Sequence, residues 1–230
     1  MKKTVLLIAI IFVCVLGASL GILLYMSPDF SGFGSKPLSE PVVTYLSSDS
    51  DEETGSGGED RTPYNWEEHP IFIVGDSLTH GARSEISKAV GDGATIDGKD
   101  SRNMSAGVSI LRDWQESGAL TDDAIIVVCL AHNITDSTVK DAQKIVEMIK
   151  PGQSLIMMTG HGRSNMAPIN EYIRSLPNVY SYITVADWDL TIAQSPSLLS
   201  DDGIHINRKQ GNELYASLIL RALEWTQPMP

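Results

Sequence analysis

The chain has 230 residues, 42% of them hydrophobic, and a formal net charge of −12 at pH 7. This length and composition are typical of one globular domain with appendages rather than of two domains. The acidic balance excludes the basic surface that binding to nucleic acid requires, so no nucleic-acid partner is expected.

The N-terminal segment has the pattern of a membrane anchor. Lys2 and Lys3 precede an uninterrupted apolar run over residues 5–25, which as a helix is about 30 Å long and spans a bilayer core. Lysines before such a run favour an inside N-terminus and an outward-facing remainder. The alternative is a cleaved signal peptide with its small-residue site at residues 17–19. Because the apolar run continues past that site, residues 1–26 are predicted to be an uncleaved transmembrane anchor, with the C-terminal domain outside the cytoplasmic membrane.

A polar segment follows the apolar run. Residues 27–62 are rich in Ser, Gly, Pro and acids, and residues 29–60 carry eight acids against one base, Lys36. A segment of this composition buries too little apolar surface to offset its ordering entropy. We therefore predict a flexible acidic linker.

Strands and helices alternate over residues 63–230. Apolar runs predict strands at residues 71–75, 94–97, 124–130, 154–158 and 179–185. Helical spacing predicts helices at residues 84–90, 108–116, 135–149, 165–176 and 207–225. Such alternation places helices on both faces of a parallel sheet. The predicted fold class is α/β, a three-layer α/β/α sandwich with a mostly parallel five-stranded sheet.

Ser77 occupies the turn between the first strand and the helix after it. In such a turn the hydroxyl is exposed, and the free N–H groups of the first helical turn are able to stabilise an oxyanion. Residues 99–103, 131–133 and 159–163 follow the next three strands, so all four loops are expected at one edge of the sheet. The alternative is that Ser77 only caps the helix.

A second motif, Asp202-x-x-His205, stands near the C-terminus. Asp202 is placed to hold the Nδ1–H group of His205, which leaves Nε2 to accept a proton from a serine. Taken alone, this spacing also fits a polar surface loop.

Together, Gly75-Asp76-Ser77-Leu78 and Asp202-x-x-His205 resemble the SGNH/GDSL hydrolase family over residues 71–223. More narrowly, the chain resembles the extracytoplasmic SGNH domain of peptidoglycan O-acetyltransferases, on motifs at residues 75–82, 96–102, 186–188 and 202–207. The resemblance implies that Ser77 is the nucleophile, His205 the general base and Asp202 its orienting partner. It also implies an oxyanion hole formed by the N–H groups of Ser77 and Ser101 and the side-chain amide of Asn133.

The sequence departs from the family pattern at two blocks. Ser101 stands where the family has a glycine, and Ala131-His132-Asn133 stands where it usually has Gly-Thr-Asn. Serine keeps the N–H donor, but the loop loses conformational freedom if a positive φ is needed there. Because loss of one oxyanion donor costs about a hundred- to a thousand-fold in rate, these changes are able to weaken catalysis.

Four residues are candidates for substrate binding. His132, beside Asn133, would narrow the site or contact substrate, or is a tolerated loop histidine. His161 and Arg163 would bind an acceptor glycan or a carboxylate, or are solvent-facing loop residues. Trp188 would stack on a sugar ring, or caps the core. The histidines and acids show no metal-ligand spacing, so neither metal nor cofactor is expected.

The sequence thus predicts a membrane-anchored, extracytoplasmic serine esterase or O-acetyltransferase acting on acetyl esters of cell-wall carbohydrate (peptidoglycan). A separate membrane protein that exports acetyl groups is a candidate partner, because this chain has one predicted span. The first alternative is a weakened or inactive SGNH domain that serves as a cell-wall binding or accessory module. The second alternative is a secreted lipase-like enzyme.

Overall fold

The computed structural model describes residues 40–44, 64–207 and 209–230. The predicted anchor and most of the predicted linker lie outside these residues. Within them, no helix combines the length and apolar character needed to span a bilayer.

The described residues alternate between strands and helices. The strands are β1 (Val43–Thr44), β2 (Ile71–Gly75), β3 (Thr95–Gly98), β4 (Ile125–Cys129), β5 (Ser154–Met158) and β6 (Ile183–Ala186). The helices are α1 (Ser77–Gly81), α2 (Arg83–Val90), α3 (Met104–Glu116), α4 (Thr138–Met148), α5 (Ala167–Ser175), α6 (Trp188–Ala193) and α7 (Lys209–Glu224).

In the described part of the chain the strands form one mixed sheet, in the order β1-β6-β5-β4-β2-β3. Strands β2 to β6 are parallel to one another, as predicted. The predicted number of five strands is wrong, because β1 adds a sixth and runs antiparallel to β6. The extra strand comes from within residues 27–62, where the polar composition predicted only a linker.

Side chains on successive residues of a strand point to opposite faces, and here both faces are buried. In β4, Ile125 and Val127 pack on one side with helices α1, α2, α6 and α7. Ile126 and Val128 pack on the other side with α3, α4 and α5. The sheet therefore lies between two helical layers.

Three local features differ from the sequence prediction. Strand β6 begins only at Ile183, because residues Leu176–Asn178 form a 3₁₀ turn and Val179 is 71% exposed. Helix α6 was not predicted; the Asp187 carboxylate caps it by accepting the Leu190 N–H group at 3.1 Å. The helix predicted at residues 84–90 is α2, but a further short helix, α1, precedes it, and the two meet at Ala82.

The strand order places the candidate residues. From β2 the chain crosses to β3 on one side, and the later strands β4, β5 and β6 continue on the other side. In open α/β sheets, ligands bind at the carboxyl ends of the strands where this reversal occurs. The loops after β2 to β6 all open at that edge, which we call the site edge.

The contacts of β1 predict a measurable contribution to stability. The Asp187 N–H group donates to the Val42 carbonyl at 2.8 Å, and the Val42 N–H group donates to Thr191 Oγ1 at 2.9 Å. Each such bond contributes about 0.5–1.5 kcal/mol net. A chain starting at residue 45 should therefore unfold with a free energy about 1–3 kcal/mol lower than one starting at Glu40. Urea denaturation of the two chains measures the difference, and equal midpoints would contradict a stabilising role for β1.

Candidate active site

The turn that carries Ser77 is fixed by its neighbours. Asp76, with no solvent exposure, caps α1 by accepting the Leu78 N–H group on Oδ1 at 3.0 Å. A Cβ atom at residue 75 would overlap the Thr79 side chain, so the close approach of helix to strand requires Gly75. Ser77 is thereby placed at the first position of α1, half-buried at the site edge.

Ser77, His205 and Asp202 form a connected triad. Ser77 Oγ lies 3.0 Å from His205 Nε2, and His205 Nδ1 lies 2.6 Å from Asp202 Oδ2. In this order the aspartate fixes the imidazole with its proton on Nδ1, and Nε2 is left to accept the serine proton. The structure therefore brings together the three residues on which the sequence prediction depends.

Asp202 is held as an anion by the loop around it. The hydrogen bond from His205, followed by the backbone N–H groups of Ile204 and His205, lowers the pKa of the Asp202 carboxyl to about 2. Both N–H groups donate to Oδ1 at 2.9 Å. A carboxylate ionised at neutral pH is able to stabilise the imidazolium that forms when His205 takes up a proton.

The predicted oxyanion donors are backbone groups in turns and one amide. The Ser77 N–H group lies in the first turn of α1, where no intrahelical acceptor exists. Ser101 has φ = 60°, so its loop does adopt the left-handed conformation that a glycine accommodates most easily. Asn133 Nδ2 donates one hydrogen to the Arg102 carbonyl at 2.9 Å, and an amide nitrogen carries a second hydrogen.

The loop of Ser101 is attached to the Ser77 turn on two sides. The largely buried Arg102 guanidinium donates to the Gly75 carbonyl at 3.2 Å and to the Asp97 carboxylate at 2.8 Å. His80, at the end of α1, pairs through Nδ1 with Asp100 at 2.7 Å. These contacts hold the Ser101 N–H group in a fixed relation to Ser77.

Two of the four substrate-binding candidates are buried, and the prediction needs correction there. Trp188 has no exposed surface and packs edge-on against Tyr215, with ring centroids 5.0 Å apart, so it is a core residue and does not stack on a sugar. His132 is 5% exposed, and its two ring nitrogens contact Asp76 and the His161 backbone. His132 is therefore part of the scaffold beneath the site rather than a substrate contact.

The other two candidates lie in the loop after β5. His161 is half-buried, and its Nδ1 atom lies 2.8 Å from Asp189 Oδ1. Arg163 is exposed and lines a cavity of about 170 Å³ together with Ser164, Arg174 and Asp189. Of the four candidates, Arg163 is thus the side chain best placed to meet a ligand.

An ion-paired group beside this loop was not predicted. Arg174 donates to both oxygens of the buried Asp187, at 2.6 and 2.9 Å, and to Asp189 at 2.8 Å. Burial raises the pKa of Asp189, but hydrogen bonds from Arg174 and His161 together outweigh burial and keep this pKa below its usual value. In the sequence, the two acids of Asp187-Trp188-Asp189 after β6 indicated a charged group here. Their partner Arg174 lies on another helix, α5, so the motif alone did not identify it.

The left-handed backbone at Ser101 predicts opposite effects for two substitutions. A non-glycine residue in this conformation costs about 1–2 kcal/mol, and β-branched residues are tolerated least. Glycine relieves that cost but loses about 0.5–1 kcal/mol through unfolded-state entropy. Ser101→Gly should therefore leave stability unchanged or raise it by up to about 1 kcal/mol, whereas Ser101→Val should lower it. Urea denaturation compares the two variants; equal stability of both would contradict the backbone assignment.

The lowered pKa of Asp202 predicts a stability that depends on pH. Because the carboxyl has a lower pKa in the folded than in the unfolded state, its contribution is present above the unfolded pKa of about 3.9 and is lost as pH falls toward 2. The difference in unfolding free energy between wild type and Asp202→Asn should therefore shrink between about pH 5 and 2. Urea denaturation at several pH values measures it, and Asp201→Asn controls for removing a charge from the same loop. A difference that is constant with pH would contradict the prediction.

Known proteins share sequence and fold with this chain. No family model matches the chain. One curated relative, the "Putative peptidoglycan O-acetyltransferase YrhL" of Bacillus subtilis (strain 168), is 22% identical over 154 residues. These residues make up 67% of this chain and 24% of the relative, so the chain spans about a quarter of the length of the protein it matches.

Solved structures show the same fold. The C-terminal catalytic domain of Streptococcus pneumoniae peptidoglycan O-acetyltransferase A, solved with a methylsulfonyl adduct, has a TM-score of 0.64 at 23% identity and covers 70% of this chain and 96% of that domain. A member of the lipolytic G-D-S-L family from Veillonella parvula has a TM-score of 0.57 at 17% identity, covering 66% and 97%. The chain therefore has the SGNH/GDSL hydrolase fold, with a Ser–His–Asp triad at its site edge.

Proposed function

We propose that the chain is a serine esterase or O-acetyltransferase that acts on acetyl esters of cell-wall carbohydrate through an acetyl-serine intermediate. The observation that carries the proposal is the continuous chain of hydrogen bonds from Ser77 Oγ through His205 to the ionised Asp202. Such a chain activates a hydroxyl that is otherwise a weak nucleophile at neutral pH.

In the proposed acylation step, Ser77 Oγ attacks the acetyl carbonyl carbon while His205 Nε2 takes the hydroxyl proton. The carbonyl oxygen becomes an oxyanion, which the N–H groups of Ser77 and Ser101 and the Asn133 amide stabilise. When the tetrahedral intermediate collapses, the ester bond to the leaving alcohol breaks and His205 returns the proton to that alcohol. Preorganised donors aimed at an oxyanion are each worth about a hundred- to a thousand-fold in rate.

The second step decides between the two activities. His205 removes a proton from the attacking hydroxyl, whose oxygen adds to the acetyl carbon. The bond from that carbon to Ser77 Oγ then breaks, and His205 returns the proton to Oγ. Water as the attacking group gives an esterase, and a glycan hydroxyl gives a transferase. The triad is exposed, with 52% of the His205 side chain and 47% of the Asp202 side chain open to solvent, so either acceptor can reach it.

The cell-wall carbohydrate is inferred from the relatives. Two of them are named as peptidoglycan O-acetyltransferases, a putative one in Bacillus subtilis and one in Streptococcus pneumoniae. The cavity beside Arg163 supports an acceptor site next to the catalytic histidine, because residue 162 of the same loop contacts Gly203. As part of the proposal, the predicted anchor holds the domain outside the cytoplasmic membrane, and a separate membrane protein supplies the acetyl donor.

The alternative of an inactive binding module has less support. Its basis was the substitution of two family blocks, at Ser101 and at residues 131–133. The Ser101 backbone keeps the conformation of a glycine, and Asn133 keeps its amide beside Arg102. A chain selected only for binding has no need for a Ser77–His205 hydrogen bond of 3.0 Å.

The proposal is tested by trapping the intermediate. Residues 40–230 are incubated with an activated acetyl ester, and the mass of the intact protein is followed with and without a peptidoglycan-derived oligosaccharide. Wild type should gain one acetyl group on Ser77, and Ser77→Ala should gain none. Asp202→Asn should acylate more slowly by about a thousand-fold or more, because the imidazole loses its orienting anion.

The fate of the acetyl group separates the two activities. Decay of acetyl-Ser77 that accelerates with oligosaccharide and yields acetylated sugar identifies a transferase. Decay that is indifferent to oligosaccharide identifies an esterase. The same mass gain in wild type and Ser77→Ala, or no gain in either, would overturn the catalytic proposal in favour of a binding module.

A further inference from the structure

His132 occupies an unusual position for a histidine beside a catalytic site. It follows β4, two residues beyond Leu130, and only 5% of its surface is exposed. The ring lies between Asp76 and His161, with Nδ1 3.1 Å from Asp76 Oδ2 and Nε2 3.2 Å from the His161 backbone nitrogen. We call this set, Asp76–His132–His161, the His132 bridge.

The two contacts determine where the ring proton is. A backbone N–H group only donates, so His132 Nε2 must accept from His161 with a lone pair. The proton of a neutral ring therefore sits on Nδ1 and is donated to Asp76. With the proton on Nε2 instead, the His132 ring and the His161 N–H group would both be donors, and no hydrogen bond would form between them.

One end of the His132 bridge holds the nucleophile. Asp76 immediately precedes Ser77 and has no solvent exposure. Its Oδ1 accepts the N–H group of Leu78, the residue after Ser77, while Oδ2 faces His132. The carboxylate thus fixes the backbone on both sides of Ser77, and the direction of its second oxygen depends on His132.

The other end reaches the loop of the general base. Next to His161, Gly162 has φ = 109° and packs so closely on Gly203 and Ile204 that a Cβ atom at residue 162 would overlap both. Gly203 and Ile204 immediately precede His205. The His161 side chain is itself anchored to Asp189 at 2.8 Å, so the loop after β5 is held on two sides.

We infer that His132 is a positioning residue, a neutral bridge that fixes the separation of Ser77 and His205 from both sides. This inference rests on the proposed function, because the separation matters only if Ser77 is a nucleophile. A displacement of about 1 Å in such a contact costs about a hundred-fold in rate. Since only 5% of the residue is exposed, loss of the ring should slow the chemical step and leave substrate binding unchanged.

Three substitutions separate the two ends of the bridge. In His132→Asn the amide nitrogen takes the place of Nδ1, which keeps the donor to Asp76 and loses His161. In His132→Gln the amide oxygen takes the place of Nε2, which keeps the acceptor for His161 and loses Asp76. His132→Leu loses both. His69→Leu is the matched control, a hydrogen-bonded histidine that contacts Tyr64 and Asp123 instead of any site residue.

Reaction with methanesulfonyl fluoride measures the alignment without any acetyl donor. Ser77 Oγ attacks the sulfur, His205 takes the hydroxyl proton, fluoride leaves with its bonding electrons, and intact mass follows the adduct. The limiting labelling rate should fall about ten-fold in the Asn and Gln variants and about a hundred-fold in the Leu variant. The reagent concentration at half-maximal rate should change less than three-fold, and His69→Leu should label like wild type.

A long-range ¹H–¹⁵N spectrum of the wild-type histidine rings gives a second, independent readout. It should show His132 neutral with its proton on Nδ1, and this measurement needs no variant to fold. A proton on Nε2, an unchanged labelling rate in the Leu variant, or a change only in the half-maximal concentration would overturn the inference. Wild type that labels on Ser77 but never takes up acetyl would defeat the proposed function alone, and wild type that does not label would defeat both.

Discussion

A carboxylate buried without solvent contact must be compensated by hydrogen-bond donors, and Asp76 imposes this constraint beneath the site. Its donors come from two parts of the chain, the Leu78 N–H group in the Ser77 turn and His132 after β4. Satisfying one buried charge therefore joins two neighbouring strands at the point where the sheet order reverses. The position of Ser77 is a consequence of that compensation as much as of the helix that follows it.

Most of the fold could be predicted because it depends on local patterns. The β-branched run of β4 and the strand at Ser154–Met158 were found from apolar runs alone, and both faces of each are covered by helices. The predictions of the fold that were wrong concern elements whose partners are distant in sequence. β1 is two residues long and exists as a strand only because β6 offers an open edge. The identities of Val43 and Thr44 do not predict this pairing.

The triad was predictable for a different reason. Asp202 and His205 are three residues apart, and the turn at Ser77 has a recognisable sequence, so two local motifs carried most of the site. The roles of His132 and Trp188 were not predictable, since each depends on a side-chain partner on another element, Asp76 for one and Tyr215 for the other. Asp187 caps helix α6 where a loop was predicted, and this helix places Trp188 in the core. Side-chain contacts between residues distant in sequence are thus what local sequence motifs could not predict.

The edge strand β1 also determines where mechanical load enters the domain. Any pull along the chain from its N-terminal side reaches the sheet first at β1, whose partner β6 stands three strands away from β2 in the sheet order. Two residue pairs join β1 to the sheet edge, whereas β2, the strand before Ser77, lies in the sheet interior. Under such a pull β1 would separate first and leave the spacing of Ser77 and His205 intact.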